Sequence, residues 1–441
     1  MFGGGLMLRA PYRSLTTYKR REAAFLHRMR KTVFCRDIFM ANEINDDEEV
    51  IEQEEVVEQE DVAEHKKEST TSRKTAGRKR EKPSEKEEPL SLQVIVDTIN
   101  KTYDNAIAWL GSTDNGLGRI STGLYGLDKA TAGGFPTGIP VILQGRKGST
   151  KSSLAYRVAG NAFRDTGKPI LLIYTEGTLR PSLPWLRACG LPEEVVIIDS
   201  FVEAESVIDM FKEFLASGEF SCLIIDSLAH LTPKSWLESK SGDSRSMGTK
   251  AKLFNDFFRQ LPHFARKPYP LILFTQHIYN NIGPMGKMSG YRMSGGEGQE
   301  YASGLIVRLT RIDKGVRVFQ GEDARKIEEP IYIDVKWSIE KTKTGGVQYS
   351  NGSFRFYLQD DIYPAATFSE APEALNKALS AGLVRKSGAW YQYNGRKYQG
   401  ADAILPVLNV QECFDAYEQS LEKARKQIRT RIIQESEKEV P

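Results

Sequence analysis

The sequence predicts an α/β fold built on a mainly parallel, twisted sheet, and three observations carry that reading. Apolar strand-like runs alternate with helix-like runs from about residue 139 to residue 275. Alternation at this spacing is the pattern of βαβ units whose sheet is covered on both faces. A small-residue loop, GRKGSTKSS over residues 145–153, joins one such strand to the helix that follows it. A further run, LIIDS from Leu223 to Ser227, stays apolar until it ends in an acid.

Composition narrows the class. With 441 residues the chain is long enough for two or three domains, and 61 basic against 58 acidic residues leave a net charge of only +3. No global polycation announces a nucleic acid, so any such partner must be met by a local patch. The four cysteines, Cys35, Cys189, Cys222 and Cys413, lie far apart without CxxC spacing. That argues against a metal knuckle or a disulfide scaffold and for a reducing compartment. No apolar run approaches the ~20 residues that a bilayer requires, so no membrane partner is expected.

Residues 1–88 read as an extension. The first forty are rich in arginine and lysine (Arg9, Arg13, Lys19, Arg20, Arg21, Arg28, Arg30, Lys31) and poor in acid. Organelle transit peptides have that composition. A flexible basic tail, or upstream sequence before a start at Met40, is the plainer reading and the preferred one. From Asn42 to Glu88 the chain is first acidic and then of mixed charge, with almost no large apolar side chains. Such a stretch cannot bury enough area to offset its ordering entropy, and a disordered linker is expected.

Residues 89–118 hold Leu90, Leu92, Val94, Ile95, Ile99, Tyr103, Ile107 and Leu110 at helical spacing. An amphipathic helix of this kind must dock on its own core or on a neighbouring subunit. Residues 119–366 form the expected core, with strands at Ile139–Gln144, Ile170–Tyr174, Val195–Ile198, Cys222–Asp226 and Leu271–Thr275. Helices are expected at Val207–Ala216 and Leu253–Phe264. Three later runs, Ile306–Arg311, Ile331–Ile339 and Phe354–Leu358, extend the sheet. Residues 367–441 form a smaller α+β piece. Its sequence GAWYQYNGRKYQG reads as a hairpin with an Asn-Gly turn, and a charged helix ends the chain.

The loop at Gly145, Arg146, Lys147, Gly148, Ser149, Thr150, Lys151, Ser152 and Ser153 has the layout of a phosphate cradle, in which backbone N–H groups and a helix N-terminus face an anion. Lys151 would reach the β and γ phosphates of ATP, and the Ser152 hydroxyl would ligate Mg²⁺. Thr150 stands where such loops usually carry glycine, so the loop must relax or hold some strain. Asp226, at the tip of a buried strand, would meet the same Mg²⁺ directly or through water. Taken alone it would pass for a helix N-cap. Glu176 lies just past the strand LLIYT, at the strand end where ligands of open α/β sheets bind. There it could orient an attacking water, or simply be a solvated loop acid.

These segments carry a resemblance. From about Pro89 to about Val410 the chain resembles the RecA-type strand-exchange recombinases. The marks are ISTGLYGLD, the phosphate loop, TEGTL, IIDSLAHLTPK followed by GDSRSMG, SGGEGQEYAS, EKTKT and LVRKSGAWYQYNGRKYQG, in the family's order. The resemblance implies a RecA-like P-loop ATPase core, an N-terminal oligomerisation helix and a small C-terminal α+β domain. It further implies ATP and Mg²⁺ as cofactors, helical filaments on single-stranded DNA, and homology search in a duplex.

Residue roles follow from the same likeness. Lys151, Ser152 and Asp226 would hold the nucleotide and metal, and Glu176 would activate water. His277, or Gln276 one residue earlier, matches the family's γ-phosphate sensor. Lys341 and Lys343 match a lysine pair that reaches a neighbour's nucleotide; without the likeness they would read as a solvated strand end. Trp185 matches an adenine platform, or else is a core tryptophan. DNA contacts would fall on Lys240 and Arg245 in one loop, and on Lys287, Arg292, Gly295 and Gly296 in another spanning residues 283–296. Arg396 and Lys397 of the C-terminal hairpin would capture duplex DNA, although a hydrophobic mini-core explains its aromatics equally well.

Thr150 and His277 lean toward the phage-encoded branch. The resemblance also implies mediator and single-strand-binding proteins as loading partners, and a bacterial or phage-infected cytoplasm, near the nucleoid. Two other readings stay open: a DNA-binding filament or regulator with weak ATPase, and a ring-forming helicase on the same fold.

Overall fold

A computed structural model describes residues 91–102, 118–176, 182–199, 203–239, 247–282, 288–320 and 326–438. The expected linker, and the proposed DNA contacts Lys240, Arg245 and Lys287, lie outside the described residues.

Two short strands, β1 (Arg119–Ile120) and β2 (Phe135–Pro136), pair at the start of the core. The main sheet contains β3 (Pro140–Gly145), β4 (Ile170–Tyr174), β5 (Val195–Asp199), β6 (Cys222–Asp226), β7 (Leu271–Ile282), β8 (Met288–Met293), β9 (Leu305–Gln320), β10 (Lys326–Thr342), β11 (Asn351–Tyr357) and β12 (Phe368–Ser369). Their order is β12-β11-β10-β9-β3-β7-β6-β4-β5, with β8 paired to β7. From β9 through β3, β7, β6 and β4 to β5 every pairing is parallel. The extension through β10, β11 and β12 is antiparallel.

The two halves differ for a reason visible in their residues. The central strands β3 and β6 are buried at every position, as continuous apolar runs between two helical layers must be. Strand β11 instead alternates buried and less buried residues. Helix Lys151–Thr166 buries Leu154, Ala155, Val158, Ala159 and Ala162 against the sheet and stops at Gly167, whose φ of 69° supplies the left-handed cap. Gly160 on that helix has a packing role, because a β-carbon there would strike the carbonyl oxygen of Gly190.

A second, smaller core lies toward the C-terminus. Helix Ala371–Ser380, a three-stranded sheet of β13 (Arg385–Ser387), β14 (Trp390–Tyr393) and β15 (Arg396–Gln399), and the helix Val410–Lys438 surround it. The Asn-Gly hairpin forms as expected: Asn394 and Gly395 take φ of 47° and 75°, the positive pair that a tight turn with right-handed twist requires. Tyr391 and Tyr393 face inward and pack in the small core, while Trp390 is 46% exposed and Arg396 and Lys397 face solvent. Within β14 the two faces differ in this way because successive side chains point to opposite sides of the strand.

This unit is tied to the main core through the segment ISTGLYGLD. Asp128 accepts hydrogen bonds from the Thr122 amide (2.7 Å) and hydroxyl (2.6 Å), which closes the segment on itself. The helix that follows, Tyr125–Ala130, meets the C-terminal helix through a Tyr125 hydroxyl bond to Asp415 (2.8 Å) and a perpendicular Tyr125–Phe414 ring contact at 5.7 Å.

Two expectations change. The amphipathic segment forms a helix, Leu92–Thr102, but none of its residues is buried, and Leu92, Val94 and Ile95 are exposed. Val96 and Ile99 are part-buried and the rest of the helix is exposed. The second glycine-rich loop is not irregular throughout: β8 runs back along β7 as an antiparallel hairpin arm, with Tyr279 opposite Arg292 and Ile278 opposite Met293.

Candidate functional site

The site lies where β3, β4 and β6 end beside the middle of the longer β7, with Gly145 in register with His277 and Tyr174 with Asp226. Parallel strands carry their successive tips to one edge of the sheet, so residues far apart in sequence converge.

Asp226 is its centre. The carboxylate is fully buried and accepts hydrogen bonds from Ser152 Oγ (3.1 Å), Thr275 Oγ1 (2.5 Å) and Tyr156 Oη (2.5 Å). Burial pushes its pKa up, and the bonds from Thr275, Tyr156 and Ser152 oppose that shift. The Asp226–Ser227 peptide is cis. The tip of β4 is locked to it: the Thr175 amide donates to the Asp226 carbonyl (2.8 Å), and Thr175 Oγ1 donates to the Ser227 carbonyl (2.7 Å). That lock is what sets Glu176 beside the Asp226 strand end.

Around the loop, Lys151 is buried and donates to the Arg146 carbonyl at 2.9 Å. Burial pulls its ammonium pKa down, while Asp226 and Glu176 draw it back up. Thr150 takes the left-handed conformation, φ 62° and ψ 20°, at the N-cap of the helix without a side-chain cap bond. The strain expected from the sequence is thus located: a β-branched residue there costs on the order of 1–2 kcal/mol. Gly145 is needed for close approach, since a β-carbon would meet the Leu309 carbonyl oxygen and Ser149 Oγ.

Ser152 and Asp226 offer a donor set of oxygens only, 3.1 Å apart, close to the ~3.0 Å edge between neighbouring ligands of an octahedral Mg²⁺. The residues present therefore fit the cation implied by the loop.

Glu176 is half-buried, and His277 Nε2 lies 3.5 Å from its Oε1. The hydrogen bond from His277 holds the Glu176 carboxyl below its usual range, against the opposing effect of burial; His230, the His277 charge and Lys151 add to the lowering. His230 stands edge-on to His277 at 5.4 Å, with its Nδ1 2.8 Å from Ser227 Oγ.

The two sensor candidates separate cleanly. Successive residues of β7 point to opposite faces, so His277 shares the face of Thr275 and looks toward Glu176. Gln276 is fully buried on the other face, donating to the Ser294 carbonyl (2.9 Å) and to Gln299 Oε1 (2.8 Å). Its contacts are with the base of the β7–β8 hairpin.

Lys341 and Lys343 converge, as their spacing suggested. Both donate to the Tyr301 carbonyl at 2.9 Å, and Lys341 also to that of Glu300, at the end of helix Gly298–Ala302. Burial and the neighbouring Lys343 push the Lys341 pKa down to about 8.

Packing bears on three of the sequence expectations. Trp185 stands edge-on to Phe356 at 5.9 Å and packs, partly buried, on the main core, the contacts expected of a core tryptophan. Gly295 and Gly296 have a structural cause: side chains there would strike Phe254 and Ala251 of helix Met247–Phe264, and both φ values are positive, 87° and 81°. Arg292 is exposed on β8.

Comparison with known proteins bears on this geometry. A model of the RecA N-terminal domain matches residues 90–343, more than half of the chain and all of the site. The chain belongs to the RecA family. The RecA protein of Mannheimia haemolytica is 30% identical over 329 residues, covering 74% of this chain and 83% of the relative. That of Sulfurovum sp. is 27% identical over 310 residues, covering 70% and 84%. A solved RadB recombinase is similar over 54% of this chain and 96% of its own length, at 19% identity and a TM-score of 0.38. The RecA-family assignment makes the chain a recombinase-family protein of nucleotide binding and hydrolysis, acting in DNA recombination and repair. Among the described residues no helix is long and apolar enough to cross a membrane.

Sequence reasoning missed Tyr156, Thr275, Gln299 and His230. Tyr156 was within reach, since it follows Ser152 by four residues and so shares its helix face. Thr275 and Gln299 gave no local signal, because their partners come from distant segments.

Proposed function

We propose that the chain is an ATP-dependent homologous recombinase that assembles as a helical filament on single-stranded DNA and exchanges strands with a homologous duplex. The observation that carries this reading is the convergence of Lys151, Ser152, Asp226 and Glu176 on one strand-end crevice, three of them linked through the buried carboxylate or its field. In this reading the loop amides and Lys151 grip the phosphates. Ser152 and Asp226 hold Mg²⁺, which neutralises charge on the phosphate oxygens. Glu176, kept ionised by His277, orients the attacking water. His277 responds to the γ-phosphate, and Gln276 passes the change to the β7–β8 hairpin.

Lys341 and Lys343 now satisfy a helix end; in the assembled filament they would turn to a neighbour's nucleotide and meet charge that develops in the transition state. The exposed apolar face of Leu92–Thr102 would dock on that neighbour. Arg292, with Arg396 and Lys397 on their exposed hairpin, would supply sequence-independent contacts to DNA phosphates. Mediator and single-strand-binding proteins would load the filament.

A second reading, a filament with weak hydrolysis, is favoured by the strained Thr150 alone. ATP turnover measured with and without single-stranded DNA separates the two, and strand exchange between purified homologous DNAs tests the whole. Turnover indifferent to DNA, or rings instead of helical filaments by electron microscopy, would overturn the recombinase.

A further inference from the structure

We propose that Glu176, His230 and His277 form a binding site for one zinc-class divalent metal ion, distinct from the Mg²⁺ position at Ser152 and Asp226. One ligand atom from each of the three side chains lies within 4.8 Å of the others. Three groups from three neighbouring strands have been brought together: Glu176 follows β4, His230 follows β6, and His277 lies within β7.

The chemistry of the set selects the ion. Two imidazoles and a carboxylate suit zinc and its first-row neighbours, whereas Mg²⁺ prefers oxygen donors and keeps its waters. In a tetrahedral zinc site the ligand atoms stand about 3.3 Å apart, given bonds near 2.0–2.1 Å. The Glu176–His277 separation is already 3.5 Å. The His230 ligand atom lies within 4.8 Å of the other two, and His230 is exposed.

An independent feature supports the assignment. Ring nitrogens of metal-binding histidines that do not face the ion usually hydrogen-bond a fixed acceptor, which sets the tautomer and aims the other nitrogen. His230 Nδ1 has such a partner in Ser227 Oγ at 2.8 Å, leaving Nε2 for the ion. Ser227 is itself buried, and its amide is held by Thr175 Oγ1 at 2.8 Å, so the second layer is anchored to the same locked strand tips. The cations nearby are Lys151 and Lys250, whose ammonium donates to the Ala229 carbonyl at 2.6 Å. Burial pulls the Lys250 pKa down to about 8, so the ammonium stays charged at neutral pH and opposes the ion through the Ala229 end of the segment.

The consequence is a control on turnover. An ion seated here takes the Glu176 carboxylate away from the attacking water while leaving the phosphate loop untouched. That consequence rests on the proposed role of Glu176; the existence of the site does not.

The test therefore reads binding first. Zn²⁺ is titrated into the full-length, nucleotide-free protein in competition with a chromophoric chelator, and Co²⁺ is added in parallel to read the visible absorption of a low-coordinate N/O site. We expect one ion per chain, with affinity at least tenfold weaker in both His230→Ala and Glu176→Gln, and loss of the Co²⁺ band in each. Thermal unfolding checks that the variants fold, and the exposed position of His230 makes its variant the safer one. Equal affinity in wild type and both variants, or no bound equivalent in any of them, overturns the site. A separate ATPase assay then tells the two ideas apart: a chain that binds the ion as described but never hydrolyses ATP leaves the metal site standing and removes the enzymatic reading.

Discussion

Gln276 and Gln299 face each other inside the protein, amide to amide at 2.8 Å, with both side chains fully buried. The pair joins the tip of β7 to helix Gly298–Ala302, the same helix whose end receives Lys341 and Lys343. A single short helix thus touches the nucleotide-side strand, the hairpin base and the lysine pair. Gln299→Leu would leave the buried Gln276 amide short of a partner. We expect a loss of about 1–3 kcal/mol in chemical unfolding, together with a weaker response of ATP turnover to single-stranded DNA. Unchanged DNA stimulation would detach this pair from the relay.

Glu176→Gln removes the carboxylate without changing its size. Turnover should fall by at least ~100-fold, the usual contribution of a positioned base, while nucleotide affinity stays within a few-fold. Fluorescent-nucleotide binding alongside an ATPase assay measures both. Retained turnover would assign the water to another group.

Thr150→Gly replaces a left-handed threonine that makes no cap bond. Relief of strain outweighs the extra freedom of glycine in the unfolded chain, and a net gain of about 0.5–1 kcal/mol is expected. The midpoint of thermal unfolding should rise. If turnover stays unchanged, the weak-ATPase reading loses its one supporting observation.

Tyr156→Phe strips one of the donors from the buried Asp226 carboxylate. We expect a stability loss of about 1–3 kcal/mol, because a charged acceptor is left less satisfied. Mg²⁺-dependent nucleotide binding should weaken as well. A variant as stable as wild type would mean that Asp226 is neutral in the folded protein.

Glu370 provides a pH signature. Burial raises its carboxyl pKa from 4.5 to about 8, even though the Gly126 amide donates to it. The folded state therefore holds a proton that the unfolded chain releases above pH 4.5. This contribution to stability is complete below that value and is lost as pH rises through about 8, at no more than ~1.4 kcal/mol per unit. Urea unfolding across that range should show the decline, and Glu370→Gln should flatten it. A slope unchanged in the variant would place the titration elsewhere.

Much of this was legible in residue order. The runs ending in Gly145, Tyr174 and Asp226 announced strands, because continuous apolar stretches of that length have no other use in a sheet covered on both faces. The Asn394-Gly395 turn was equally plain, since few residue pairs tolerate two positive φ values. What stayed hidden depended on distance along the chain. The donors to Asp226 come from a helix and from a strand tip some fifty residues downstream, and nothing local marks Thr275 as its partner. His230 looked like an ordinary polar residue until three strand ends met. Trp185 misled for the opposite reason: a family position suggested stacking on a base, while local packing against Phe356 used the ring for the core. Gly295 and Gly296 were read as DNA contacts, and their positive φ and close approach to Phe254 and Ala251 give them a packing reason as well.

The helix Leu92–Thr102 carries a last implication. With Leu92, Val94 and Ile95 turned outward and nothing of its own length buried, eleven residues gain little from folding alone. In the proposed filament a neighbouring subunit covers this face, and hydrodynamic size is then expected to climb with protein concentration. Dilution should bring a fraying of this segment before anything else gives way.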